Sequence, residues 1–215
     1  ITAGSRGIKK VDIMYKTVIE YIRRCGGEPY LIAAMGSHGG GTVEGQLAIL
    51  KGLNVTEETM GCPILASIHA DRIGQTPEGI PAFCNERVKE VDKIILLNRI
   101  KEHTDFTAII ESGLHKMMTI GLGTLEGADN AHIYAMKYGY FHAITKIAKV
   151  VKNYLDIICG IAIVENALCD IHTIEAVKPE DLWDREVELQ ALAKKKAAKI
   201  PFDVFDILFV KEIGK

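Results

Sequence analysis

The stretch that decides the fold is "PYLIAAMGSHGGG", residues 29–41. Its first half, 29–35, is a continuous apolar run, which predicts a strand buried on both faces, as in parallel sheets. In its second half, four glycines surround Ser37 and His38. Helical spacing resumes at Thr42, a residue type that caps helix N-termini well. A strand that leads into a helix through a glycine-rich turn is typical of layered α/β domains.

The same alternation of strand and helix continues on both sides of this unit. Val11 to Cys25 has helical spacing of apolar residues, whereas "KIILLNR" (93–99) and "DIICGIAIVEN" (156–166) have the pattern of buried strands. Further strands are predicted at 62–68, 79–85 and 205–211, and further helices at 42–50, 86–92, 113–123, 128–153 and 179–199. We therefore predict an α/β fold, a mostly parallel sheet with flanking helices in a Rossmann-like layered domain.

The order of these patterns along the chain predicts three parts. Residues 1–178 are expected to form the α/β domain, truncated at its start, because "ITAGSRGI" has the pattern of the end of a strand. The charged helix at 179–199 is the best candidate for a linker, with Pro179 suited to its first turn. The strand predicted after it suggests that residues 200–215 begin a second α/β domain, largely absent from this chain.

Composition argues against several classes of function. The chain has 215 residues, of which 48% are hydrophobic and 25% charged, which is an ordinary balance for a globular protein. Its formal net charge of -2, without a basic stripe, argues against a nucleic-acid partner. The sequence contains no apolar run of about 18 residues, so no membrane span is predicted. Its scattered cysteines, without a CxxC pair, indicate reduced thiols in a cytoplasmic protein.

Three polar stretches follow predicted strands. "AGSRG" follows the first strand pattern, "GSHGGG" the second, and "NRIKEHTD" the strand at 93–99. Ligands of open α/β sheets bind beyond the carboxyl ends of the strands, so we expect these stretches to line one site. His38 and His103 could then face each other across a substrate and exchange protons near neutral pH. The simpler alternatives are a loop histidine bonded to backbone and a solvated histidine among charges.

Further side chains are candidates for binding roles. Lys116, in the apolar stretch "GLHKMM", is either a covalent or anion-binding amine or a lysine that extends its ammonium to solvent. Arg6 could clamp a carboxylate through two hydrogen bonds. His132 as a single metal ligand would need other donors. A serine nucleophile at Ser37 is disfavoured, because adjacent side chains on a turn usually point apart and no triad accompanies it.

Several motifs in the same order resemble the nickel-dependent lactate racemase family: "AGSRGI", "AMGSHGG", "NRIKEHTDF", "GLHKM", "AIVENA" and the closing "EIGK". The resemblance covers most of the chain and is to the N-terminal domain of a family homologue. It implies a cofactor, the nickel-pincer nucleotide (nickel pyridinium bisthiocarboxylic acid mononucleotide). In the family this nucleotide is attached covalently to a lysine. Its nickel is held by a ring carbon, two sulfurs and one histidine.

The resemblance also implies a role for each candidate residue. Lys116 corresponds to the lysine that carries the cofactor and His132 to the nickel ligand, and their separation, 132 − 116 = 16, fits the family pattern. His38 and His103 correspond to the two acid/base histidines, and Arg6 to the arginine that binds the substrate.

The glycine-rich turn and its surroundings complete the implied site. The phosphate of the cofactor is expected to approach backbone N–H groups near Ser37, Gly39 and Gly40. The lactate enzymes carry an acidic residue, a histidine and a threonine where this chain has Ala3–Ser5, which puts lactate itself in doubt. His115, beside Lys116, is expected to be a structural residue that faces away from the site, with a spare base as the alternative.

The implied reaction is racemisation or epimerisation of a 2-hydroxy acid by proton-coupled hydride transfer, with the two histidines as alternating acid and base. The implied partners are a small-molecule hydroxy acid and the cofactor-maturation proteins, and a homo-oligomer is left open. Two alternatives remain at this stage. One is a non-catalytic nucleotide- or metabolite-binding domain of the same fold, and the other is a zinc-type hydrolase that uses His38, His103 and His132.

Overall fold

A computed structural model describes residues 1–200, 202, 204 and 206–211. The strands are β1 (Thr2–Ala3), β2 (Leu31–Ala33), β3 (Ile64–Leu65), β4 (Ala70–Gln75), β5 (Pro81–Asn85), β6 (Ile94–Arg99), β7 (Ile157–Glu165) and β8 (Ile171–Val177). The helices are α1 (Val11–Arg24), α2 (Val43–Gly52), α3 (Glu57–Met60), α4 (Leu114–Lys116), α5 (Thr124–Tyr138), α6 (Tyr140–Tyr154) and α7 (Leu182–Lys196). A π-helical turn, Met117–Gly121, follows α4 directly, and 3₁₀ turns lie at Gly39–Gly41, Glu86–Glu90 and Pro179–Asp181.

Six strands form two three-stranded sheets that lie side by side. In the first sheet β2 pairs with β1 and β3 in parallel, and in the second β7 pairs with β6 in parallel and with β8 antiparallel. Thr2 joins the sheets, because its hydroxyl accepts a hydrogen bond from the backbone N–H of Leu97 at 2.9 Å. The spatial order is therefore β3-β2-β1-β6-β7-β8, and the order of winding reverses between β1 and β6. Ligands of such sheets bind at this reversal.

Alternating side chains of the strands build one core on each face of the sheet. Leu31 and Ala33 of β2 pack in the cluster that contains Tyr15 of α1. Ile32 and Ala34 pack in the opposite cluster, with residues of α4, α6 and α7. β2 is thus buried on both faces, and the predicted α/β architecture with flanking helices is confirmed.

Most predicted elements are present with shifted ends. Helix α1 is confirmed, and Thr42 caps α2 by accepting a hydrogen bond from the backbone N–H of Gly45 at 3.0 Å. The long helical region predicted at 128–153 is divided at Gly139 into α5 and α6, within the "KYGYF" stretch that predicted a break. The segment 113–123 is less regular than predicted, because α4 continues as a π-helical turn.

Two strands were missed, and one predicted strand is not formed by its described residues. β4 pairs with β5 in a separate antiparallel hairpin and is polar. β8 is an edge strand whose side chains alternate between half-buried and exposed until Val177, which is buried. Such strands lack the continuous apolar run of the central ones. Residues 206–211 have no strand structure, while Phe205 and the "EIGK" motif at 212–215 lie outside the described residues.

The charged helix predicted at 179–199 is α7, which begins after the 3₁₀ turn Pro179–Asp181. It packs against the sheet, with Leu182, Leu189 and Ala193 buried in the same core as α4 and α6. Every helix within the described part of the chain is too short or too polar to cross a bilayer.

Candidate active site

A cleft of about 250 Å³ opens where the order of winding reverses, between β1 and β6. The segments that follow β1, β2 and β6 all contribute to its wall, together with α4 and the π-helical turn. The predicted site residues that line it are Arg6, Ser37, His38, His103, Lys116 and His132. Gly39 and Gly40 lie in the adjoining 3₁₀ turn and are not part of the wall. The structure therefore brings together the three polar stretches that the sequence placed at strand ends.

The glycine-rich turn holds His38 at the rim of the cleft. Gly39 and Gly40 have φ values of 74° and 66°, which only glycine adopts readily. The Ser5 hydroxyl and His38 Nδ1 form a hydrogen bond, which links the loop after β1 to the turn after β2. When Nδ1 donates this bond, Nε2 is left free to accept a proton. Sequence patterns did not predict this contact of Ser5.

Burial and two cations keep His38 in its neutral form. Partial burial lowers the pKa of His38, and the positive charges of Arg6 and Lys116 lower it further. A neutral imidazole at physiological pH can accept a proton from a hydroxyl group, so His38 has the charge state that a general base needs.

His103 is held by its own loop after β6. Its backbone N–H donates to Glu111 Oε2 at 2.7 Å, and its Nδ1 accepts the backbone N–H of Asp105 at 3.2 Å. The acceptor role of Nδ1 places the ring hydrogen of the neutral tautomer on Nε2. Burial lowers the pKa of His103, as does the charge of Lys116. His103 and His38 are thus both neutral, and they can present complementary tautomers to a bound hydroxyl group.

Lys116 occupies the last position of α4 and is half-buried in the cleft wall. Burial lowers the pKa of Lys116 from 10.5 to about 8, and the charges of Lys101 and Arg6 act in the same direction. A neutral amine is the nucleophilic form of lysine, and desolvation beside other cations is a known way to make it accessible. Lys116 is therefore a half-buried residue of the cleft wall rather than a lysine extended into solvent.

His132 projects from α5 into the cleft and is exposed. Its ring contacts Tyr140 edge-on, with ring centroids 5.9 Å apart. Tyr140 also stacks on His103, at 5.8 Å, and on Phe106, at 5.2 Å. The aromatic ring at the start of α6 thus connects the two histidines. The signal that could have found Tyr140 was the helix break at Gly139.

Lys101 is a second cleft residue that the sequence interpretation missed. It lies two positions before His103 and lines the cavity with Arg6 and Lys116. Burial lowers the pKa of Lys101, and the charges of Arg99 and Arg6 add to that effect. Three cations that face one small cavity favour an anionic ligand such as a carboxylate or a phosphate.

His115 does not line the cleft although it is next to Lys116. It is 7% exposed, its Nδ1 lies 2.8 Å from Glu186 Oε2, and its backbone N–H donates to the same oxygen at 3.1 Å. Its ring also meets Trp183 edge-on, at a centroid distance of 5.5 Å. These contacts account for His115 as a structural residue rather than a spare base.

Comparison with known proteins identifies the family and supports the fold. A family model described as "Lactate racemase N-terminal domain" matches residues 4–139. The chain belongs to this family. The solved structure of the lactate racemase apoprotein from Thermoanaerobacterium thermosaccharolyticum is similar, with a TM-score of 0.64 and 16% sequence identity. The match covers 82% of this chain and 44% of that protein, so the chain spans less than half of its relative's length and the likeness shows the fold alone. No curated protein matches the chain.

The residues of the cleft fit the nickel-pincer nucleotide, the cofactor that the lactate racemase family implies. Lys116 offers an amine of lowered pKa and His132 an accessible imidazole to the same cleft. Among the described residues, no group of three His, Cys, Asp or Glu side chains is placed to hold a metal ion. His38, His103 and His132 therefore do not form the zinc site considered above. A metal at His132 would need donors from a bound molecule, which the pincer nucleotide has.

Proposed function

We propose that the chain is the part of a racemase or epimerase that carries its acid/base, cofactor-binding and carboxylate-binding residues. The substrate is a 2-hydroxy acid, and the cofactor is the nickel-pincer nucleotide. The observation that carries this proposal is that two neutral imidazoles, one reactive amine and one accessible imidazole line the same cleft. Membership of the lactate racemase family supports racemase-like chemistry in general.

In this proposal Lys116 holds the cofactor and His132 is the protein ligand of its nickel. When bound, the nucleotide supplies an electron-poor ring that accepts hydride from C2 of the substrate. Arg6 binds the carboxylate, which keeps C2 and its hydroxyl group aligned.

The two histidines move the hydroxyl proton. His38 or His103 removes it as hydride leaves C2, which produces a planar 2-keto acid. If hydride were then supplied to one face of the keto acid, the histidine on that side would return the proton to oxygen. Inversion needs one base on each face, and this explains why two imidazoles of lowered pKa line the cleft.

The substrate class is broader than lactate. Ala3–Ser5 replaces the residues that precede the arginine in the lactate enzymes, and Ser5 is bonded to His38 here. Cationic Lys101 adds a second anchor for negative charge. We therefore include larger hydroxy acids and sugar acids among the substrates. All five cysteines are free, which agrees with a cytoplasmic location, where the cofactor-maturation proteins would act.

Cofactor attachment can be tested by intact mass spectrometry of protein produced together with the cofactor-synthesis enzymes. We expect a covalent mass addition that maps to Lys116, with nickel in equal amount. Lys116→Ala should abolish the addition. The matched control, Lys51→Met in α2, should retain it, because Lys51 is exposed and is not among the residues that line the cleft. Matured protein with neither adduct nor nickel would contradict the proposal.

The reaction can be tested with single enantiomers of 2-hydroxy acids labelled with deuterium at C2. If hydride leaves C2 and the same hydride returns, the configuration at C2 should invert while the deuterium is kept. The deuterium should also slow the reaction. His38→Asn and His103→Asn should each lose inversion but keep the mass addition at Lys116. Binding of the hydroxy acid without inversion would support the non-catalytic binding domain instead.

A further inference from the structure

Helix α7 carries a row of polar side chains on its buried face. Glu186, Gln190 and Lys194 follow one another at intervals of four residues, so they lie on one side of the helix. Glu186 and Gln190 are each 1% exposed. Buried polar groups are costly unless they are paired, and their partners therefore indicate what the row is for.

Glu186 is paired with the segment that carries Lys116. Its carboxylate accepts two hydrogen bonds from His115, one from the backbone N–H and one from Nδ1. Gly113 makes this approach possible, because a Cβ at that position would lie 2.3 Å from Glu186 Oε1. One carboxylate thus fixes the first turn of α4, whose last residue is the reactive lysine.

Lys194, at the other end of the row, is paired with the loop that carries His103. Its Nζ lies 2.5 Å from Glu111 Oε1 and donates to the carbonyl oxygen of Ala108 at 2.7 Å. Glu111 is itself 1% exposed and accepts the backbone N–H groups of His103 and Ala108, at 2.7 and 2.9 Å.

The middle of the row completes the connection. Gln190 Oε1 accepts the backbone N–H of Glu111 at 3.3 Å. Burial raises the pKa of Glu111. The hydrogen bonds from Lys194 and from the backbone N–H groups lower it by more, so the pKa of this carboxyl lies below its ordinary value. Glu111 is therefore charged, and its ion pair with Lys194 is intact at neutral pH.

We propose that the polar row of α7 is the positioning element of the cleft, with Glu186 orienting the turn of Lys116 and the Lys194–Glu111 pair orienting the loop of His103. The identity of the two reactive groups rests on the proposed function, whereas the positioning rests on the contacts of α7. The loop of His103 has no helix or strand of its own, and hydrogen bonds to buried carboxylates fix direction where apolar packing does not. The residues of the row are positioning residues and touch no substrate.

The proposal predicts selective effects, which chemical labelling can measure without cofactor. Diethyl pyrocarbonate reports the accessibility of His103, and a limiting amount of acetic anhydride reports that of Lys116, both mapped by peptide mass spectrometry. Glu111→Gln should speed labelling of His103 by roughly ten- to hundredfold, the scale of losing one hydrogen bond to a charged group. It should leave Lys116 labelling unchanged. Glu186→Gln should change Lys116 labelling and leave His103 as it is.

Control variants separate positioning from general loosening. Glu188→Gln, on the exposed side of α7, should change neither rate. If Glu111→Gln does not fold, Lys194→Met and Lys194→Arg provide the same test, because the arginine can keep the ion pair and should restore slow labelling of His103. Gly113→Ala should reproduce the effect of Glu186→Gln, because it forces the carboxylate away.

Equal changes at His103 and Lys116 in both glutamine variants, or no change in either, would overturn the proposal. The two proposals fail separately. If labelling changes selectively in a protein that never acquires the cofactor, the positioning role of α7 is supported and the proposed racemase function is contradicted. In matured protein, Glu186→Gln should lower the fraction of Lys116 that carries the mass addition, whereas Glu111→Gln should lower kcat with the addition retained.

Discussion

The lowered pKa of Lys116 leads to a quantitative prediction about its reactivity with pH. Burial and nearby cations lower the pKa from 10.5 to about 8. At pH 7 about 10% of the amine is then neutral, against about 0.03% for an ordinary lysine, a difference of roughly 300-fold that follows from the pKa scale. Lys116 should therefore be among the fastest lysines to react with a small acylating reagent, despite being half-buried.

The assay is competitive acylation over a series of pH values, with a lysine-containing peptide in the same tube to correct for reagent decay. The rate at Lys116 should reach half its maximum near pH 8. Lys101→Met removes one positive neighbour, so the midpoint should rise. It should stay below 10.5, because burial is the larger cause. Lys51→Met, in α2, should leave the midpoint unchanged.

Stability supplies an independent check on the same group. The folded pKa lies below the unfolded one, so protonation opposes folding, and stability should rise as pH increases from about 8 towards 10.5. Urea unfolding should show this rise in the wild type and lose it in Lys116→Met. A reactivity midpoint near 10.5, or an identical pH dependence of stability in both proteins, would refute the conclusion that burial has perturbed Lys116.

Three further predictions concern the scaffold and the pKa values of His38 and His103. Gly45→Ala would place a Cβ 1.8 Å from the carbonyl oxygen of Gly39. It should lower the free energy of unfolding, measured in urea, by about 1–3 kcal/mol. Gly52→Ala in the same helix meets no atom within 4 Å and should leave this free energy unchanged. Leu96→Ala, in a fully buried position, should cost about 2–5 kcal/mol, and a much smaller loss would contradict its place in the core. His38 and His103 should titrate below 6.5 by NMR. Because their folded pKa values lie below the unfolded ones, their protonation removes stability as pH falls below 6.5. Midpoints above 6.5 would contradict this.

The α/β fold and most of the cleft could be predicted from the sequence because they depend on local patterns. Continuous apolar runs such as 94–97 predict strands that are buried on both faces, whichever strands they pair with. Loops that follow parallel strands emerge at one edge of the sheet, so His38 and His103 were placed near each other without coordinates. The resemblance added candidates such as Lys116 and His132 that periodicity could not supply.

The contacts that prepare the site for chemistry were decided by the tertiary structure. The hydrogen bonds from His115 to Glu186 and from Lys194 to Ala108 join residues 71 and 86 positions apart, and no local pattern specifies such a pair. The burial of Leu182, Leu189 and Ala193 of α7 in the core likewise depends on residues that are distant in the sequence. Periodicity determines which segments form strands and helices, whereas the burial and charge environment that set the pKa of each group arise only when distant segments pack together.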